Sequence, residues 1–140
     1  MKTAITTFRG KHRFLSNMFP CVVVLDGVEY PSVEHAYQAA KTYDADERRF
    51  IRCLPSAVQA KRRGKELEVG NSWELRKMTV MRELLRQKFT IHYSLCELLR
   101  ATGKSELIHV NAHGDTYWGV CRGVGENHLG NLLMIIRSTL

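Results

Sequence analysis

Apolar and polar residues along this chain follow two periods, and the switch between them outlines the architecture. Near the N-terminus VVVL (22–25) and VEY (28–30) are apolar β-formers flanking Asp26-Gly27. A two-residue Asp-Gly turn in that context predicts a β-hairpin, because both turn positions need positive φ. Pro31 is expected to stop the second strand, and Ser32 to cap a helix over 33–43. From there the helical period dominates. Asp44 with Glu47 reads as a capping box for a second helix near 45–53, and Pro55-Ser56 opens a third. Asn71 with Glu74 opens a long helix in which Met78, Met81, Leu84, Leu85 and Phe89 keep the 3.6-residue period. Leu95, Leu98 and Leu99 mark a further helix ended by Gly103. ELIHV (106–110) has the character of a short strand. NAHGDTYWGVCRGVGEN, with four glycines, is a loop, and Leu129, Leu132, Leu133, Ile135 and Ile136 mark a last helix. The pattern is α+β: one domain over 1–140, mostly helical, with a short hairpin or small sheet near the N-terminus.

Composition narrows the classes. The 140 residues are 44% hydrophobic and 25% charged, within the range of a chain that buries a single core. No run of about eighteen apolar residues could span a membrane, and MKTAITTFRGKHRF lacks the apolar stretch of a secretory signal. A cytoplasmic location follows, with Cys21, Cys53, Cys96 and Cys121 as free thiols. Lysine and arginine exceed acids by 21 to 14, a net +7 that suits anionic partners such as nucleic acid, nucleotides or phosphorylated metabolites without choosing among them. Neither Cys-x-x-Cys nor His-Glu-x-x-His occurs, so no metal site is expected, and there is no phosphate-binding glycine loop between a strand and a helix.

Candidate chemistry gathers in four places. In YPSVEHAYQAAK (30–41), Glu34, Gln38 and Lys41 fall along one stripe of the first helix. A first-turn glutamate is also ordinary helix design, favoured there by the macrodipole. Ser16-Asn17 interrupts large apolar residues before the hairpin. Trp73 sets an indole at a helix start, where a flat ligand could stack or a core could close. Asp115 precedes Tyr117 and Trp118 in the glycine-rich loop, either as a turn former or as a functional carboxylate.

FLSNMFP, YPSVEHAYQAAK, NSWELRKMTVMRELLRQKF, SLCELLRATGKSELIHVN, DTYWGV and GENHLGNLLMIIR, in this order, resemble the NADAR family from about Arg13 to Arg137. Met18 stands where many members have phenylalanine, and Val33 where others have serine or threonine. The resemblance implies the NADAR fold and an N-glycosidase that cuts a ribose C1′–N bond, with no cofactor. The substrate would be a ribosylated or phosphoribosylated pyrimidine of riboflavin biosynthesis, or ADP-ribosylated guanine in nucleic acid. It assigns the essential glutamate to Glu34, the tryptophan to Trp73 and the loop aspartate to Asp115, with Ser16, Asn17, Gln38, Lys41, Trp118 and Asn127 lining the pocket. Glu34 would be the main catalytic carboxylate, Asp115 would orient ribose hydroxyls or water, and Lys41 with the run Lys61–Lys65 would bind phosphate. A non-catalytic binder of ADP-ribose, NAD-like nucleotides or nucleic acid stays open beside it, since +7 would suffice for binding.

Overall fold

The computed structural model describes residues 3–140 and places them in two compact units, one formed by Asn17–Lys88 and the other by the segment through Ser16 together with Phe89–Leu140. The secondary structure is α+β and about half helical.

Within Asn17–Lys88, strands β2 (Pro20–Leu25) and β3 (Val28–Ser32) pair antiparallel, with Leu25 opposite Val28. Asp26 and Gly27 both take positive φ, 48° and 80°, as an Asp-Gly turn requires. Pro31 does not stop β3: the strand runs through it to Ser32, which pairs with Pro20. A two-stranded sheet consists of edges, where a residue lacking an N–H is tolerated. The Gln87 carboxamide covers part of that edge, accepting from Val24 N at 2.7 Å and donating to Val24 O at 2.9 Å.

Helix α1 (Val33–Ala39) is shorter than the sequence pattern indicates, and all seven residues are buried. It is followed by α2 (Ala45–Arg52), α3 (Ala57–Lys65) and α4 (Asn71–Ile91). Asp44 caps α2 by accepting from Asp46 N and Glu47 N, but Glu47 turns its carboxylate to Arg63. The reciprocal capping box is found one helix later, between Ser56 and Gln59. Glu74 pairs with Lys77 at 2.7 Å. Met81, Leu84, Leu85 and Phe89 of α4 are buried at the expected period.

In the other unit a parallel pair, β1 (Ala4–Ile5) with β4 (Glu106–Leu107), accompanies a 3-10 turn over Gly10–Leu15 and helices α5 (Tyr93–Ala101) and α6 (His128–Ser138). The pattern gave no sign of β1, and β4 is two residues of the five in ELIHV. Gly103 follows α5 with φ 63°, the left-handed stop its sequence position suggests. Leu129, Leu132, Leu133 and Ile136 of α6 are buried, whereas Ile135 is exposed. All four cysteines are free. No helix among the described residues is long and apolar enough to cross a membrane.

One core residue is unusual. Lys88 is fully buried on α4, its Nζ 5.6 Å from the centre of the Phe19 ring. Burial lowers its ammonium pKa to about 8, with nearby Cys21 acting in the opposite direction. Between about pH 8 and 10 the unfolded lysine therefore holds a proton that the folded one has lost, and stability rises with pH. Urea unfolding should show a gain from this group of up to about 3 kcal/mol across that window. Lys88→Met should remove it; the same slope in the variant would contradict the account.

Candidate active site

The stripe on α1 does not face bulk water. Glu34 is 8% exposed and Gln38 5%. Glu34 occupies the second helical position, where its backbone N–H donates to Asn17 O at 3.0 Å, tying it to the segment before the hairpin. Gln38 lies one turn on, and its Nε2 donates to Glu34 Oε1 at 2.8 Å. Lys41 lies beyond the end of α1 instead of on its stripe. Burial lowers the pKa of its ammonium, Glu34 opposes that effect, and Lys65 and Lys77 reinforce it. The Asn17 amide donates to Met81 Sδ at 3.6 Å, and its Oδ1 is buried without a hydrogen-bond partner among the described residues.

Both ends of α1 are fastened. At the start, Ser32 Oγ accepts from His35 N at 3.0 Å and lies 2.6 Å from His35 Nδ1, while His35 Nε2 lies 3.0 Å from Leu54 O. A carbonyl only accepts, so Nε2 carries a proton, and in the neutral ring the Ser32 hydroxyl donates to Nδ1. At the finish, Arg48 Nε donates to Thr42 O at 2.6 Å and Ala39 O at 3.2 Å, and Arg76 Nη2 donates to Ala40 O at 2.8 Å. These guanidiniums take up carbonyls left over at the end of α1, which finishes at Ala39 and not at 43. Trp73 is 5% exposed; its ring packs against Tyr37 at 5.2 Å, with Arg76 Cζ 5.4 Å from its ring centre.

The remaining candidates belong to the other unit. Asp115 Oδ1 accepts from Tyr117 N at 3.1 Å and Trp118 N at 2.9 Å. The Asn111 side chain brackets its backbone, donating to Asp115 O at 2.8 Å and accepting from Asp115 N at 2.9 Å. Half-buried Trp118 meets Tyr117 edge-on at 4.8 Å. Asn127, at φ 52°, spends its carboxamide on backbone: Oδ1 accepts from His109 N and Nδ2 donates to Leu107 O. Ser16 closes the 3-10 turn through its N–H to Arg13 O. Among the described residues no three His, Cys, Asp or Glu side chains lie together as metal ligands would.

The NADAR domain profile matches residues 6–140. The chain belongs to the NADAR family. The N-glycosidase YbiA of Escherichia coli K12 is 38% identical over 128 residues, covering 89% of this chain and 79% of that protein. A riboflavin biosynthesis protein of Vibrio vulnificus is 36% identical over 132 residues, and this chain spans 36% of its length. The NMR structure of E. coli YbiA superposes with a TM-score of 0.84 at 35% identity, covering 99% of this chain and 86% of that one. As a NADAR chain it has the α+β fold expected of the family.

Within this NADAR domain the sequence pattern gave no role to His35, Arg48 and Arg76, which fasten the two ends of α1. The signal for His35 was present, three residues after a capping serine. The arginines carried none, being distant in sequence from the carbonyls they bind.

Asp115 offers a clean separation of roles. Asp115→Asn keeps the oxygen that accepts from Tyr117 and Trp118 and should leave the unfolding free energy nearly unchanged. Asp115→Ala should lose about 1–2 kcal/mol of stability. Chemical denaturation of both variants checks this, and equal stability for all three proteins would show the turn does not need that oxygen.

Proposed function

We propose that this NADAR chain is an N-glycosidase, a hydrolase that cleaves the bond between ribose C1′ and a base nitrogen, with Glu34 as its principal carboxylate. The observation that carries this reading is a glutamate buried on a helix fastened at both ends, one oxygen held by Gln38 at 2.8 Å. Some of its relatives, YbiA of E. coli among them, carry the name N-glycosidase.

The chemistry fits a carboxylate so placed. As the C1′–N bond lengthens, its electron pair leaves with the base nitrogen and positive charge builds on the ribosyl carbon. An anion beside that carbon stabilises it or takes a proton from the attacking water. The water oxygen bonds to C1′, and the departing nitrogen gains a proton. Lys41, with Lys65 and Lys77 close enough to act on its charge, supplies a basic rim for a phosphate. The buried Asn17 Oδ1 suits a hydroxyl or amine donor from substrate. Trp73 supplies an apolar wall, and the resemblance gives the ribose hydroxyls or water to Asp115.

For the substrate, the riboflavin biosynthesis name of the Vibrio relative favours a ribosylated or phosphoribosylated pyrimidine. The net charge of +7 favours the second reading, ADP-ribosylated guanine in nucleic acid. Salt separates them, because nucleic acid releases counterions and weakens steeply with ionic strength.

Glu34→Gln removes charge and proton transfer with little change in volume. Base release measured by mass on both substrates should fall about 100-fold or more while the fold and ligand affinity persist. A wild-type protein that binds ligand but releases no base from either would make the chain a binding module instead.

A further inference from the structure

The basic run on α3 contains a residue that cannot serve as a basic contact. Gly64 is buried in α3, which packs on α1, and its backbone is not left-handed, so nothing in its own conformation calls for glycine. Glycine inside a helix is less favourable than alanine. The reason for it lies across the helix pair. A Cβ at position 64 would fall 1.8 Å from Gln38 Oε1, 2.5 Å from Cδ and 3.0 Å from Cγ. The Gln38 carboxamide rests directly on the bare backbone of α3. Its Oε1 is buried there with no hydrogen-bond partner among the described residues, while Nε2 points the other way and donates to Glu34.

We propose that Gly64 is a positioning residue for Glu34, acting through Gln38: the missing side chain leaves the space in which the carboxamide lies while its N–H holds the carboxylate. An alanine methyl would overlap the carboxamide by more than an ångström in a tightly packed helix pair. Either the helices part or Gln38 rotates, and rotation takes the N–H off Glu34 Oε1. Turning the amide over without moving it fails too, because it sets Oε1 against a carboxylate oxygen.

The test is a cycle of wild type, Gly64→Ala, Gln38→Ala and the double variant, read by melting temperature and single-turnover base release. The Gln38 side-chain amide signals in 15N spectra are followed in the two proteins that keep the glutamine. Gly64→Ala should slow base release about tenfold or more, lower the melting temperature and shift those amide signals. In the Gln38→Ala background the same change should cost no further rate. There it should raise the melting temperature by about 2–5 °C, since the methyl then has room and alanine favours the helix. If Gly64→Ala fails to fold, a folded double variant supports the proposal and an unfolded one overturns it. Additive losses, or a Gly64→Ala protein with wild-type rate and unchanged Gln38 signals, also overturn it. The proposal rests on the N-glycosidase reading only for the rate. Should wild type release no base, that reading falls, while the melting cycle and amide signals still decide the role of Gly64.

Discussion

A carboxylate taken out of water has to be compensated where it stands, and Glu34 is the group around which its unit is arranged. Removing an ion from solvent costs several kcal/mol even after the surroundings relax. A hydrogen bond to a charged group returns roughly 1.5–3 kcal/mol. Gln38 supplies that bond, and Lys41 adds an opposite charge that is itself partly desolvated. Gln38 is one turn along the same buried helix, and the space it fills is set by a glycine on the helix beside it.

The rigidity of α1 has identifiable sources. Ser32 and His35 close its start and link it to Leu54; Arg48 and Arg76 close its finish by binding carbonyls of Ala39, Ala40 and Thr42. A short helix of seven residues has little stability of its own. Its geometry comes from these side-chain clamps and from complete burial. Arg76 also packs over Trp73, so the residue that caps α1 helps place the indole. In the other unit the glycine-rich loop is held in the same manner, by side chains binding backbone. Asp115, Asn111 and Asn127 each use a short polar side chain to hold main-chain groups that no sheet or helix takes up.

Much of this was legible in the sequence where the physics is local. The Asp-Gly turn, the Ser32 cap, the Gly103 stop and the apolar period of α4 depend on neighbours within four residues, and the structure has them as read. The failures were non-local. The end of α1 is capped by arginines from α2 and α4, β1 is two residues whose partner lies about a hundred positions away, and Pro31 stays in its strand because that strand has an open edge. Around Glu34, the pattern found Gln38 at helical spacing but gave Gly64 no role, since its meaning lies in which helix faces it. The resemblance implied what spacing could not, a catalytic role for the glutamate, and the family match over residues 6–140 bears out the membership.

The central claim is that water replaces a base at ribose C1′ under the influence of a buried carboxylate. Turnover in water enriched in oxygen-18 tests it most directly, with a ribosylated pyrimidine phosphate and ADP-ribosylated guanine as alternative substrates. The account predicts one heavy oxygen in the sugar product and none in the released base, with the labelled product depending on Glu34. A sugar product without the label, or labelled product formed at the same rate once Glu34 is replaced by glutamine, would contradict it.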